Sequence, residues 1–377
     1  MDACMSRMRI SRLPQDLPCL IVCAGSRLRR SGRAEEREDM PAEGVSFLVL
    51  LLTERCNLRC CYCYVDAVGT GMDMPRKNAF RAIDKLASVN AATVELSGGE
   101  PLLRFDLVED IVKYGCSVNP GLRFAVQTNA VLLDRKKLSF LAEHRVGLGI
   151  SLDGVPEVNE KLRGRSEDVL RALRMMDDLG FGVNITVVLT SENTTVFPRF
   201  LLFCAGFSSV RMINLDILRP IGRASGRGLI PQRDQITDMV REMFDVLAFI
   251  NERRYIPLKV REIEQALRRR NDRKIRPYCY GAAGKAAAVT PDGSLYPCAS
   301  LVGMGKYRAG SVWDQDVPQL DGLVQSGSFP QRCMECETGS VCRGGCPSRR
   351  LSHTGNLGDV CDVECHMRKE ISRRIEE

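Results

Sequence analysis

Cys56, Cys60 and Cys63 are the side chains whose spacing speaks most directly of chemistry. They stand in Cys56-Asn-Leu-Arg-Cys60-Cys-Tyr-Cys63, a C-x3-C-x2-C run that directly follows a predicted strand. Three thiolates on one tight loop can hold three corners of a four-iron cluster. A cluster built only to carry electrons takes four protein ligands. Three leave one iron open, able to chelate a small molecule through an amine and a carboxylate. Cys61 reads as a non-ligand, because its neighbours already complete the spacing. The plainer alternative for the run is a zinc knuckle.

Further polar residues follow at regular intervals. Ser97-Gly98-Gly99-Glu100-Pro101 closes the second predicted strand. Its two glycines let backbone approach a ligand closely, and Glu100 can accept hydrogen bonds from an ammonium group. Gln127-Thr128-Asn129 and Ser151-Leu152-Asp153-Gly154 close the next two strands, and Arg163 follows in Lys161-Leu-Arg-Gly. A second set of cysteines lies near the C-terminus. Cys279 precedes Gly293 and Cys298 in the spacing C-x13-G-x4-C. Cys333, Cys336, Cys342 and Cys346 are spaced C-x2-C-x5-C-x3-C, and Cys361 and Cys365 come last. Cys4, Cys19, Cys23, Cys116 and Cys204 read as plain thiols. His144, His353 and His366 show no ligand spacing.

Regular elements must position these groups. Predicted strands at Ser46–Leu52, Thr93–Ser97, Arg123–Thr128, Gly147–Leu152, Val183–Leu189 and Val210–Ile217 alternate with helices near 76–88, 106–115, 134–143, 166–179 and 194–205. Six such units predict an α/β fold of parallel strands, closed as a barrel or partial barrel, with its site at the strand ends. The expected organisation is a disordered or non-native tail at 1–45, a core at 46–230, a helical connector at 231–278 and a small metal-held domain at 279–370. Met40 is a candidate start. The 377 residues include 17 cysteines and carry a net charge of +7. No signal peptide opens the chain, and its longest apolar runs fall well short of the ~20 residues of a membrane span. A cytoplasmic, thiol-reducing setting is expected, where clustered cysteines read as metal ligands rather than disulfides.

Taken together, the cysteine loop, GGEP at 98–101 and the QTN and SLDG segments resemble the radical S-adenosylmethionine (SAM) superfamily. The C-terminal cysteines and Arg219-Pro-Ile-Gly-Arg-Ala224 resemble its SPASM extension. The resemblance spans about residues 46–370. It implies a partial (β/α)6 TIM-like barrel followed by a small Cys-rich iron–sulfur domain. It implies one SAM-binding 4Fe-4S cluster on Cys56, Cys60 and Cys63, beside Tyr62, and two auxiliary 4Fe-4S clusters. One auxiliary cluster would take Cys279, Cys298 and Cys346, completed by Cys361, by water or by substrate. The other would take Cys333, Cys336, Cys342 and Cys365, with Cys361 as the alternative last ligand. Gly98, Gly99 and Glu100 would hold the SAM amino group, Thr128, Asn129, Ser151 and Asp153 would face SAM, and Arg163 would meet its carboxylate. Ala130 stands where the family usually has Gly.

The implied chemistry is one-electron cleavage of SAM and hydrogen abstraction by a 5′-deoxyadenosyl radical. The expected substrate is a peptide or protein side chain, with an external reductant of flavodoxin or ferredoxin type. Tetrapyrrole or small-metabolite modification is the alternative within the family. Sulfatase maturation is disfavoured, because Ala299 follows Cys298 where that branch carries an Asp. A non-catalytic metal scaffold would not need polar segments at successive strand ends. With 6% aromatic residues and dispersed basic ones, no nucleic-acid platform is evident.

Overall fold

A computed structural model describes residues 45–87, 92–272, 277–316, 320, 324 and 329–377. Apart from Val45, the tail expected at 1–45 lies outside the described residues. Six strands carry the frame: β1 Phe47–Leu51, β2 Thr93–Ser97, β3 Arg123–Thr128, β4 Gly147–Ser151, β5 Val183–Leu189 and β6 Val210–Ile217. They pair in sequence order, each parallel to the next. The predicted strands coincide with these to within a residue at each end. Between them run α1 Arg76–Leu86, α2 Phe105–Val118, α3 Arg135–Glu143, α4 Pro156–Leu162, α5 Ser166–Leu179 and α6 Phe197–Ala205.

Each helix buries one stripe on the sheet. In α1 the stripe is Ala79, Ala82, Ile83 and Leu86, and in α5 it is Val169, Ala172, Leu173 and Met176, both at helical spacing. The opposing strand residues, such as Leu48, Leu50, Val94, Leu96, Ile185 and Val187, complete the outer core. Period-2 alternation then turns the other strand residues to the inner face. Glu95, Gln127, Ser151, Thr186, Asn214 and Asp216 therefore line an inner wall that is largely polar.

The sheet extends beyond the six units. After α7 Arg233–Asn251, β7 Lys259–Val260 joins β6, and α8 Arg261–Arg270 follows. β8 Ala286–Val289, from within the Cys-rich region, pairs parallel with β1. β9 Ser294–Tyr296 and β10 Gly310–Ser311 continue antiparallel, giving ten strands in the order β10-β9-β8-β1-β2-β3-β4-β5-β6-β7. The C-terminal residues fold as α9 Gly339–Cys342, α10 Pro347–Thr354 and α11 Asp362–Glu376. No described helix is long and apolar enough to cross a membrane.

Candidate active site

The cysteine loop is fastened at both ends and in its middle. Thr53 Oγ1 donates to Asp73 at 2.6 Å, and Arg55 grips the same carboxylate through Nε and Nη2 at 2.9 and 2.6 Å. The Cys61 N–H donates to the Leu162 carbonyl at 2.9 Å, and the Arg223 N–H to the Cys63 carbonyl at 3.0 Å. A Cβ on Gly222 would stand 2.6 Å from the Cys63 oxygen, so the segment 219–224 lies flat on the loop. Cys56, Cys60 and Cys63 are free, partly exposed thiols. Burial pushes Cys56 up to about 11, with Glu100, Cys60 and Cys63 adding to the rise. Burial likewise raises Cys60, against the pull of Arg163.

The strand-end residues brace this loop more than they face outward. A Cβ on Gly98 would meet the Thr53 carbonyl at 2.5 Å, and one on Gly99 the Arg55 carbonyl at 2.2 Å. The sequence reading gave these glycines a close approach to a ligand; the backbone they approach is that of the cysteine loop itself. Glu100, 1% exposed, accepts from Leu102 N at 3.0 Å, Thr128 Oγ1 at 2.6 Å and Asn129 N at 2.8 Å. Its carboxylate is thus turned inward and engaged with protein donors, in place of the free acceptor the sequence suggested. Burial still lifts its pKa to about 6. Asn129 Nδ2 donates to Asn57 Oδ1 at 2.8 Å, tying the third strand end to the loop. Ala130 adopts a left-handed φ of 65°, which accounts for the family's glycine there.

Asp153 is fully buried and gathers four donors. Arg163 gives Nε at 2.7 Å and Nη2 at 3.3 Å, Val188 its N–H at 2.9 Å, and Tyr62 its hydroxyl. The Arg163 guanidinium lies 5.4 Å from the Tyr62 ring centroid and acts electrostatically on Cys60. Tyr62, Asp153 and Arg163 are therefore one unit set against the loop. Ser151 remains partly exposed on the inner wall, where it accepts from Gln127 Nε2 at 3.2 Å. Arg211 turns outward to the Ser208 carbonyl at 2.6 Å.

The C-terminal cysteines sort into two electrostatic neighbourhoods. Cys279 feels Cys346 and Cys298, and Cys298 feels Cys346. Cys333 feels Cys365 and Cys336, while Cys342 feels Cys365 and Cys333. Cys361 is intermediate. Its thiol is pushed up to about 12 by burial and by Glu364, and it also feels Cys346. Yet it lines a cavity together with Cys333, Cys342 and Cys365.

Between the two groups runs a buried ionic chain that sequence reasoning missed. Arg219 and Arg349 both hold Asp216, at 3.0 and 2.7 Å. Arg349 Nη1 also meets Glu364 at 2.7 Å, and Arg368 Nε meets it at 3.0 Å. The Cys346 N–H donates to Glu364 at 3.0 Å, so this chain touches the cysteines directly. Burial disfavours both carboxylates, but the arginines prevail: Asp216 is held well below its usual range and Glu364 falls to about 2. Tyr64, beside Arg219 and Cys298, links the chain back to the first loop. Asp216 at the end of β6 could have been suspected as the counterpart of Asp153. Arg349, Glu364 and Arg368 carry no such signal.

The sequence profile of the Radical SAM superfamily matches residues 50–204. The uncharacterized protein MJ0907 of Methanocaldococcus jannaschii is 30% identical over 297 residues, spanning 76% of this chain and 96% of its own length. This chain belongs to the radical SAM superfamily. Mycofactocin maturase MftC of Mycolicibacterium smegmatis is 29% identical over 335 residues, covering 83% of this chain and 81% of that protein. The structure of anSMEcpe with bound AdoMet superposes with a TM-score of 0.74 at 21% identity, over 87% of this chain and 96% of that one. The same protein solved with AdoMet and the Cp18Cys peptide gives 0.72 at 22% identity, over 87% of this chain and 95% of that one. These superpositions establish the fold. As a radical SAM enzyme the chain uses a 4Fe-4S cluster and SAM.

The residues of this chain suit such groups. The thiols occur in three sets whose members act on one another while sharing no disulfide. Among the described residues, no three His, Cys, Asp or Glu side chains converge as ligands of a single ion do.

Proposed function

We propose that this radical SAM enzyme modifies a side chain of a peptide or protein substrate, in the manner of a peptide maturase. The observation that carries the reading is the braced Cys56-Cys60-Cys63 loop at the mouth of a polar inner wall, with the Cys279/Cys298/Cys346 group reaching it through Tyr64 and Arg219 and the second group joined to that one through Glu364 and Arg368. Cys56, Cys60 and Cys63 would hold the SAM-binding cluster. Cys279, Cys298 and Cys346 would hold one auxiliary cluster, and Cys333, Cys336, Cys342 and Cys365 the other. When bound, the reduced cluster and SAM supply hydrogen-abstracting radical chemistry.

The chain's own residues supply position and charge. Gly98 and Gly99 seat the second strand end on the loop, and Glu100 locks it to Thr128 and Asn129. Asp153 orients Arg163 while leaving the guanidinium beside Cys60, placed to meet an anionic group of a bound ligand. Ser151 faces the inner wall. Arg219, Arg349 and Arg368 carry positive charge to the auxiliary cysteines, where it favours bound anionic clusters.

A peptide substrate is supported by the maturase relative and by the fold's accommodation of a peptide in anSMEcpe. Ala299 opens a short 3-10 turn immediately after Cys298, leaving no carboxylate at that position, which favours chemistry other than sulfatase maturation. A flavodoxin- or ferredoxin-type protein in a reducing cytoplasm would deliver the electron. The test is anaerobic reconstitution of the full chain, followed by SAM and dithionite. Formation of 5′-deoxyadenosine, dependent on reductant, is expected. Iron-loaded protein that leaves SAM intact would overturn the proposal.

A further inference from the structure

Hydrogen bonding along the inner wall is lopsided. Val94 and Leu96 are fully buried in the outer core, so alternation turns Glu95 inward, beside Val49 of β1 and Ala125 of β3. Asn214 is turned inward in the same way between Ile213 and Leu215. The amides on this wall each give one hydrogen bond from their NH2: Gln127 Nε2 to Ser151 at 3.2 Å, and Asn214 Nδ2 to Thr186 at 3.4 Å. The acceptors are in surplus. Asn214 Oδ1 has no partner among the described residues.

Glu95 is the larger imbalance. Burial pushes its carboxyl up, no donor among the described residues hydrogen-bonds it, and the opposing influence there is the Arg261 guanidinium. Arg261 sits just past β7 and spends Nε and Nη2 on Glu262 at 3.1 and 2.9 Å, so it offers Glu95 charge without contact. A carboxylate that faces the inner wall with no protein donor among the described residues stands open to a donor from a ligand. Glu95 braces neither the cysteine loop nor any strand end. It lies two residues below Ser97, deeper along the wall than the segments that surround the loop.

We propose that Glu95 is a specificity-determining residue that receives a cationic side chain, Lys or Arg, of the substrate peptide. The assignment rests on the reading of the inner wall as the substrate chamber of a peptide-modifying enzyme. A neutral donor would supply hydrogen bonds alone, whereas an ammonium or guanidinium adds the contacting charge that Arg261, engaged with Glu262, does not give. The surplus acceptor on Asn214 biases the same wall toward donor-rich groups.

The test uses the full chain, reconstituted and saturated with SAM, titrated calorimetrically with two probes: Nα-acetyl-lysine methylamide and its norleucine analogue. The lysine probe is expected to bind about tenfold to a hundredfold more tightly, the worth of a hydrogen bond to a charged group. In Glu95→Gln, which keeps the side chain's shape, the preference should collapse to about twofold or less. Thermal unfolding of the variant checks that its fold is retained. Equal binding of the two probes, binding of neither, or a preference that survives Glu95→Gln overturns the assignment. Wild-type 5′-deoxyadenosine formation is read in parallel. Its absence defeats the radical-enzyme reading, and its presence without a lysine preference defeats Glu95 alone.

Discussion

Replacing Asp153 with Asn removes the charge that organises one side of the site. The carboxylate receives Arg163 Nε at 2.7 Å, Arg163 Nη2 at 3.3 Å, Val188 N–H at 2.9 Å and the Tyr62 hydroxyl. An Asn offers one acceptor oxygen and turns an NH2 toward the remaining donors. Arg163, with a side chain only 10% exposed, is then left as a nearly buried cation without its partner. Removing one member of such a pair costs about 3–5 kcal/mol. Spent on the arrangement of Tyr62 and Arg163 beside Cys60, that is about two to four orders of magnitude in the population of the assembled site. The assay compares wild type and Asp153→Asn, reconstituted anaerobically, for denaturant midpoint, SAM affinity and 5′-deoxyadenosine formation. A large loss of stability and at least a tenfold loss of SAM cleavage are expected. A variant within about 0.5 kcal/mol of wild type that cleaves SAM normally would refute the reasoning.

Gly99→Ala places a Cβ 2.2 Å from the Arg55 carbonyl. It should destabilise the chain by about 1–3 kcal/mol and cut SAM cleavage, measured side by side with wild type. Glu100 has a folded pKa of about 6 against an ordinary value of 4.5. The folded state therefore binds the extra proton between these values, and stability falls by about 2 kcal/mol as pH rises through them. Denaturant midpoints of wild type relative to Glu100→Gln, followed from pH 4.5 to 7, should show that decline. Glu364 is depressed to about 2 from 4.5. Its contribution, about 3 kcal/mol, is present above pH 4.5 and is lost as pH falls toward 2. Glu364→Gln should thus be markedly less stable than wild type at pH 7, with the gap narrowing by more than half at pH 3.

The frame of this protein is legible in its sequence because it is local. Each strand from β1 to β6 is a short apolar run bounded by polar strand-end residues, and each main helix shows its buried stripe at helical spacing. The seven-residue α4 escapes notice because two turns give too little periodicity. The pairing of β8 with β1 escapes because it joins segments more than two hundred residues apart, which no local pattern encodes. Cysteine spacing names the loop and the two later groups, since ligand geometry limits the gaps. Direction is harder to read than identity. Glu100 and Asp153 look like groups that face a ligand, yet both turn inward to collect backbone and side-chain donors. Arg349, Glu364 and Arg368 look like charges on solvated helices. They are buried because α10 and α11 close over Asp216, a consequence of tertiary packing alone.

The central claim is that three separate cysteine groups each hold a four-iron cluster and that only the first cleaves SAM. Iron and sulfide counted per chain in reconstituted wild type, together with 5′-deoxyadenosine, test it most directly. About twelve irons are expected in wild type. The Cys56/Cys60/Cys63→Ala variant should hold about eight and give no 5′-deoxyadenosine. The Cys333/Cys336/Cys342→Ala variant should also hold about eight, while the first loop keeps its iron. Zinc in place of iron, or 5′-deoxyadenosine undiminished in the first variant, would contradict the account.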